Sequence, residues 1–273
     1  LRNTGQSGGV IGEDANLTGV WDSYLGTGVE IAIIDDGLEW THPDLSTNYD
    51  SVNDYDYCNN DNNPTPVNSG YDHGTSSAGV AAATGNNSVG VSGSAPGATL
   101  AGFTLIEVCS SPDSMEANAL THEDQIMDIY SNSWGPFDNG EILAGPGPLL
   151  TAGFESNVAN GRGGLGNIIT WAAGNGLAND DDANKDGYAN AIETIAVTAV
   201  SHMGRQSWYA EPGANILIAA HSSGDSEGIT TVDTNNGYTD NFGGTSSATP
   251  LVSGIIALML EANPTLTWRD VQH

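Results

Sequence analysis

Basic residues are scarce in this chain. Only 5 of its 273 residues are Lys or Arg, against 34 Asp and Glu, and the formal net charge at pH 7 is −29. A surface of this sign repels phosphate, which argues against nucleic acid as a partner. It favours basic substrates, bound cations, or a salty habitat in which screening removes the self-repulsion.

Cysteines and long apolar runs are also scarce. The two cysteines, Cys58 and Cys109, lack the close spacing of metal ligands. A disulfide and a reactive thiol remain as alternatives. No apolar run is predicted to span a bilayer, and no signal peptide is visible. The length suits one large domain.

Apolar runs alternate with segments rich in small residues along the chain. Strands are predicted at 28–34, 99–106, 126–130, 167–173 and 194–200, and helices at 74–84, 114–122 and 149–160. This alternation predicts an α/β fold, a three-layer α/β/α sandwich around a mostly parallel sheet. Two Asp- and Asn-rich stretches, 48–68 and 177–185, are either cation-binding loops or plain solvated loops.

Ser246 lies in the most informative stretch, 243–250, whose sequence is Gly-Gly-Thr-Ser-Ser-Ala-Thr-Pro. An apolar run follows at 251–260. Because proline suits the first turn of a helix, Ser246 is predicted just ahead of, or within, the first turn of a buried helix. Free N–H groups and the positive end of the helix dipole are available there, where a nucleophile would generate an oxyanion.

Other polar residues follow apolar runs or begin small-residue helices. His73 opens the segment His-Gly-Thr-Ser-Ser-Ala-Gly, and it is the one histidine of six with such a context. Asp35 and Asp36 end the first apolar run, and alternation on a strand does not decide which of them would orient the imidazole. Asn175, in Ala-Ala-Gly-Asn-Gly, would either donate to an oxyanion or occupy a turn.

The order Asp, His, Ser in these segments is that of the subtilisin triad. The chain resembles the subtilisin-type serine proteases and, within them, the kexin/furin-like proprotein convertases. The resemblance runs from about the first residue to the last and includes further motifs: Asp35-Asp36-Gly37, His42-Pro43-Asp44-Leu45, Ser133-Trp134-Gly135-Pro136, Gly161-Arg162-Gly163-Gly164-Leu165-Gly166, Leu260-Glu261-Ala262-Asn263 and Leu266-Thr267-Trp268-Arg269-Asp270.

The resemblance implies a calcium-dependent serine endopeptidase. Residues 1–273 would form its catalytic domain, with a signal, a pro-segment and a downstream β-rich domain outside this stretch. We expect a monomer that is secreted or extracellular, with a periplasmic location as the alternative, and that acts on proteins or peptides containing basic residues. In a secreted protein we expect Cys58 and Cys109 to form a disulfide.

Site roles also follow from the resemblance. The expected catalytic residues are Asp35, His73, Ser246 and Asn175. The expected substrate-binding residues are Asp36, Ser133, Trp134, Gly135, Asp138, Asp186, Glu116 and Tyr188. Asp138 and Asp186 would hold Arg or Lys before the scissile bond, because a desolvated guanidinium needs a carboxylate partner. Asp36 and Glu116 would favour further basic residues, whereas Ala144 and Gly70 stand at positions that are acidic in the family.

Two to three structural calcium sites are also implied. The first comprises Asp44 and Asn87 with carbonyls near Thr84, Val89 and Val91. The second comprises Asp138, Asp181 and Glu211, directly behind the basic-residue pocket. The third comprises Asp56, Asp61 and Asn63. Oxygen ligands of these types suit calcium, and no His/Cys cluster indicates zinc.

Three other functions are compatible with parts of this pattern. A broad-specificity protease on the same fold would cleave after Phe or Leu as readily as after Arg. An inactive binding or inhibitory protein would keep the fold without the intact catalytic set. A structural calcium-binding surface protein would explain the acidic loops but not the Asp-His-Ser arrangement.

Overall fold

A seven-stranded parallel sheet forms the centre of the computed structural model, which describes residues 2–68, 70–106 and 109–273. Its strands in chain order are β1 (Glu30–Asp35), β2 (Tyr55–Asp56), β3 (Thr99–Thr104), β4 (Ile129–Asn132), β5 (Ile168–Ala172), β6 (Thr194–Val200) and β7 (Ile216–His221). The spatial order is β2-β3-β1-β4-β5-β6-β7, and every pairing is parallel. The predicted fold class is confirmed.

Helices cover both faces of this sheet. They are α1 (His73–Ala82), α2 (Asp113–Leu120), α3 (Pro148–Gly164), α4 (Gly244–Ala262) and α5 (Trp268–Gln272). On β1, Ile31 and Ile33 join the core that packs on α1 and α4. Ala32 and Ile34 join the core that packs on α2 and α3. Because successive side chains alternate, one strand supports both outer layers.

An antiparallel hairpin, β8 (Ile229–Asp233) and β9 (Gly237–Phe242), leads into α4. Its first strand is fastened to α1 by a reciprocal pair of hydrogen bonds. Thr231 Oγ1 donates to the Ser76 carbonyl, and Ser76 Oγ donates to the Val232 carbonyl, both at 2.9 Å. The hairpin therefore connects the two helices on this face of the sheet.

Helix α4 corrects one prediction. It begins at Gly244, so Pro250 lies inside the helix rather than in its first turn. At 19 residues and a mean hydropathy of 1.3, it is long and apolar enough to cross a membrane by length and composition only. However, 72% of that stretch is buried inside the molecule, where it packs against α1 and the sheet.

The predicted loop at 48–68 contains β2, the edge strand of the sheet. Just after β2, Cys58 forms a disulfide with Cys109, with a Cα–Cα distance of 5.6 Å. The bond joins this segment to the chain that follows β3. Both sulfurs lie within 4 Å of the Leu105 carbonyl.

The N-terminus of α1 packs closely against the end of β1 at Gly74. A Cβ at this position would lie 2.2 Å from the Gly37 carbonyl oxygen and 2.7 Å from the Asp35 Cβ. We therefore expect Gly74→Ala to lower the free energy of unfolding by about 1–3 kcal/mol or more, because the backbone must move. Denaturant unfolding measures the loss. The control is Gly19→Ala, where a Cβ meets nothing within 4 Å; equal stability of the two variants would contradict this packing.

Candidate active site

Five polar segments meet at the carboxyl edge of the sheet. Asp35 ends β1, Ser133 follows β4, and Asn175 lies three residues beyond β5. His73 is the first residue of α1, and Ser246 is the third residue of α4. Parallel strands bring their carboxyl ends to one edge, where ligand sites of open α/β sheets form.

The pair Asp35 and His73 is held tightly. His73 Nδ1 lies 2.8 Å from Asp35 Oδ1 and 3.0 Å from Oδ2. The Asp36 N–H donates to Asp35 Oδ1 at 2.8 Å, and the Phe242 ring meets the imidazole edge-on at 5.4 Å. Asp35 is buried, whereas the His73 side chain is 32% exposed. A fixed carboxylate therefore orients an imidazole that solvent can reach.

Asp36 has a different environment from the one expected of a pocket wall. Its two carboxylate oxygens accept the backbone N–H groups of His73 at 3.1 Å and Gly74 at 2.8 Å, and the residue is only 1% exposed. Burial is the main cause, and repulsion from Asp35 the second, that raises the pKa of Asp36 to about 7. In this structure the side chain stabilises the N-terminus of α1, and its contact with a substrate stays a prediction.

Ser246 and Ser133 exchange hydrogen bonds. Ser246 Oγ donates to the Ser133 carbonyl at 3.3 Å, and Ser133 Oγ donates to the Ser246 carbonyl at 3.0 Å. Sequence reasoning placed Ser133 on the strand that binds a substrate backbone but missed its hydroxyl. The two residues are 113 positions apart, so no local pattern indicates this contact.

The amide of Asn175 is oriented by Thr245, a residue that the motif contains but the prediction did not use. Asn175 Oδ1 accepts the Thr245 N–H at 2.8 Å and lies 3.2 Å from the Thr245 hydroxyl. This leaves the Nδ2 hydrogens of Asn175 as donors. Gly244 has φ +72°, and a Cβ there would lie 3.1 Å from Asn175 Oδ1, so close approach requires glycine.

The expected acidic pocket lies beside this amide. The Asn175 N–H donates to Asp138 Oδ2 at 2.8 Å, and the Tyr188 N–H donates to Asp186 Oδ1 at 2.8 Å. A Cβ on Gly135 would lie 3.0 Å from Asp186 Oδ2, so the glycine leaves that carboxylate approachable. Burial raises the pKa of Asp186 to about 7 and also raises the pKa of Asp138.

Asp138 also belongs to the second expected calcium site. Oxygens of Asp138, Asp181 and Glu211 lie within 4.8 Å of one another, and over residues 2–68, 70–106 and 109–273 this is the one such group of three Asp, Glu, His or Cys residues. Asp181 and Glu211 are buried, and burial raises the pKa of Glu211 to about 7. A cationic side chain, Lys185, lies nearby with its Nζ 3.7 Å from Asp181. Three carboxylate groups this close together suit a hard divalent cation, which binds oxygen ligands.

Residues of the first expected calcium site lie close together: Asp44, Thr84, Asn87, Val89 and Val91. Asp44 lies at the centre of their contacts, and calcium binding by this set stays a prediction. Asp44 accepts the Asn87 amide at 2.6 Å, the Val91 N–H at 2.8 Å and the Tyr238 hydroxyl at 3.2 Å. Val91 contributes its N–H to these contacts, and Tyr238 is a member that the sequence did not indicate.

Asp56 and Asp61 of the third expected calcium set are paired across an isolated antiparallel β-bridge, and cation binding by this set stays a prediction. Asp56 Oδ1 accepts the N–H groups of Cys58 and Asn59, both at 2.8 Å. Asp61 Oδ1 accepts the Asn63 N–H at 2.9 Å. Each carboxylate is used by its own tight turn, because Asp side chains readily accept nearby backbone N–H groups.

Glu116 and Tyr188, two expected substrate-binding residues, contact each other. Tyr188 donates its hydroxyl to Glu116 Oε2 at 3.1 Å, and its ring stacks on Trp171 at 5.1 Å and meets Trp134 at 5.5 Å. Glu116 is 7% exposed, and burial raises its pKa. Two expected substrate residues are thus in contact, but the carboxylate is partly satisfied within the protein.

Comparisons with known proteins agree with this geometry. The sequence profile of the subtilase family matches residues 26–273. Endoprotease bli-4 of Caenorhabditis elegans is 44% identical over 97% of the chain, and human proprotein convertase subtilisin/kexin type 7 is 45% identical over 96%. The chain spans only 29% and 34% of those proteins. The serine protease of Aeromonas sobria, solved with its chaperone, has a TM-score of 0.84 at 26% identity, covering 97% of this chain and 52% of that one. The chain therefore belongs to the subtilase family, and its sequence places it beside the proprotein convertases.

Proposed function

We propose that this chain is the catalytic domain of a calcium-dependent serine endopeptidase that prefers Arg or Lys before the scissile bond. The observation that carries the proposal is the Asp35–His73 pair at 2.8 Å, on the same sheet edge as Ser246 and the oriented Asn175 amide. Each group has the chemistry that one step of acyl transfer requires.

The mechanism follows from these positions. Ser246 Oγ attacks the substrate carbonyl carbon while His73 takes the hydroxyl proton, and Asp35 stabilises the imidazolium that forms. Asn175 Nδ2, with backbone N–H groups at the start of α4, would donate to the oxyanion. The C–N bond then breaks as His73 returns the proton to the leaving amine, and water hydrolyses the acyl-enzyme by the same route.

The preference for a basic residue rests on Asp138 and Asp186. Both are partly buried carboxylates, and the chain places no Arg or Lys within 4.0 Å of either among its described residues. A substrate guanidinium would supply the missing charge and replace solvent that these groups have lost. A substrate with a second basic residue next to the first would show, by its higher kcat/KM, whether Asp36 contributes to substrate binding.

Calcium would occupy the cluster of Asp138, Asp181 and Glu211. When bound, the ion would neutralise the mutual repulsion of three carboxylates and hold Asp138 in place. It would have no chemical step of its own. The Cys58–Cys109 disulfide supports a secreted or extracellular protein, because such bonds persist in oxidising compartments.

One observation favours a broad-specificity protease as the second candidate. Phe137 and Leu143, beside the acidic pocket, are each 83% exposed, and Ala144 replaces an acid. Apolar side chains at this rim would contribute to binding without regard to substrate charge. This candidate predicts similar turnover after Arg and after Phe.

Replacement of the nucleophile tests the catalytic assignment. Ser246→Ala should lower kcat by about 10⁵- to 10⁶-fold, because the remaining groups have no hydroxyl to activate. Circular dichroism and the melting temperature should stay close to those of the parent. Ser114→Ala, on the exposed face of α2, is the matched control and should retain full activity. Hydrolysis retained by Ser246→Ala would show that another residue is the nucleophile.

Asp186 generates a pH prediction. Its raised pKa of about 7 means that the carboxyl group is neutral below that pH and anionic above it. The ratio of kcat/KM for an Arg peptide over the matching Phe peptide should therefore rise between about pH 6 and 8. A pH effect that both peptides share cancels in this ratio.

Asp186→Asn should flatten this pH profile and lower the ratio about 10- to 100-fold through loss of a charge-assisted hydrogen bond. Asp180→Asn, at an exposed position nearby, should leave the profile unchanged. A profile that survives in Asp186→Asn would place the specificity charge elsewhere.

Removal of one cluster carboxylate tests the cation site. In the parent, calcium at about 100 times its Kd should add about 2.7 kcal/mol of stability, or roughly 5–10 °C in melting temperature. Glu211→Gln should lose most of that gain while it retains the hydrogen bond from Gly176. Glu155→Gln, an exposed position on α3, should keep the gain. Calcium stabilisation that is equal in all three proteins would exclude this cluster as the site.

A further inference from the structure

Pro250 leaves one carbonyl of α4 without its helical donor. In an α-helix the N–H of residue 250 would donate to the carbonyl of residue 246, and proline has no N–H. Pro250 is buried in the interior of α4. The carbonyl that loses its partner is therefore that of Ser246, the proposed nucleophile.

A side chain from the sheet supplies the missing donor. Ser133 Oγ donates to the Ser246 carbonyl at 3.0 Å, and Ser133 is only 6% exposed. In return Ser246 Oγ donates to the carbonyl of Ser133 at 3.3 Å. Two hydrogen bonds of opposite direction thus join the nucleophile to the residue directly after β4.

We propose that Ser133 is a positioning residue whose hydroxyl, through the Ser246 carbonyl, sets the place of the nucleophile relative to the substrate-binding edge. This inference rests on the proposed function of Ser246. Without the Ser133 hydroxyl, the Ser246 carbonyl would have no donor in place of the N–H that Pro250 lacks. The first turn of α4 would then shift toward another donor, because an unpaired buried carbonyl is costly. Small displacements of a nucleophile have large effects on rate.

The same strand and helix share a second hydroxyl contact that does not reach Ser246. Ser253 Oγ lies 2.9 Å from Ser131 Oγ and 2.8 Å from Thr170 Oγ1, about two turns along α4 from the nucleophile. Both Ser131 and Ser253 are buried. Ser131→Ala is therefore a matched control, since it removes a buried hydroxyl from the same interface without touching the nucleophile.

The experiment measures kcat and KM for an Arg peptide, the rate of inactivation by a sulfonyl fluoride, and the melting temperature. The sulfonyl fluoride reports on Ser246 without a peptide in the site. Ser133→Ala should lower kcat and the inactivation rate about 10- to 100-fold, with KM changed less than about 2-fold. Ser131→Ala should lower the melting temperature but change either rate less than about 2-fold.

A double-mutant cycle with Pro250→Ala separates positioning from general packing. The alanine substitution restores a backbone N–H at position 250 that can donate to the Ser246 carbonyl. In that background Ser133→Ala should lower the rates by no more than about 3-fold, because the carbonyl keeps a donor. Ser133→Thr, which retains the hydroxyl, should recover most of the activity in the parent background.

Two outcomes would overturn the inference. Ser133→Ala could match Ser131→Ala in both rates, or its loss could be the same in the parent and in the Pro250→Ala background. If Ser133→Ala does not fold, Ser133→Cys replaces it in the cycle with a weak donor of similar shape. A parent protein that fails to react with the sulfonyl fluoride would instead refute the proposed function, so the two failures are distinguishable.

Discussion

The site depends on the close docking of two helix N-termini against the carboxyl edge of one parallel sheet. At α1 the docking requires Gly74, because a side chain there would run into Gly37 and Asp35. At α4 it requires Gly244, which adopts φ +72° beside Asn175. Glycines at both contacts let His73 and Ser246 approach residues that the strands carry. Backbone packing thus places the His73 imidazole, the Ser246 hydroxyl and the Asn175 amide at one edge of the sheet.

The second constraint is the negative charge of buried carboxylates, which backbone N–H groups compensate only in part. Asp36 accepts two N–H groups at the start of α1, Asp138 accepts that of Asn175, and Glu211 accepts that of Gly176 at 2.8 Å. Desolvation still raises the pKa of each of these carboxyl groups. The site therefore favours cations as a consequence of its own structure. The proposed substrate guanidinium and the proposed divalent ion behind it both carry a charge of this sign.

Much of this arrangement could be predicted from sequence, because it follows local patterns. Apolar runs that end in polar residues indicated the parallel sheet and its functional edge, and small-residue helix starts indicated His73 and Ser246. The sequence was less informative where two partners are far apart in the chain. Nothing near Ser133 indicates a bond to a residue 113 positions away, and nothing near Tyr238 indicates Asp44.

Other differences arose where one side chain has several uses. Asp36 has the position of a pocket residue, but the free N–H groups of α1 are closer and take its oxygens. Asp56 and Asp61 have the composition of a calcium loop, and each also accepts N–H groups of its own turn. Pro250 suits a first turn by its own propensity, yet lies inside α4 because the helix extends back to Gly244. Tertiary packing therefore decided the partners of Asp36, whereas the hydrogen-bond partners of Asp56 and Asp61 lie within their own turns.

The most direct test of the account is the selectivity of the full-length protein in millimolar calcium. The measurement is kcat/KM for peptides that end in Lys-Arg, Ala-Arg and Ala-Phe before the scissile bond. We expect kcat/KM for the Ala-Arg peptide to exceed that for the Ala-Phe peptide by more than about 100-fold, because only the basic residue neutralises Asp138 and Asp186. Similar rates for all three peptides would contradict it, and would mean that the pocket acids serve the bound cation rather than the substrate.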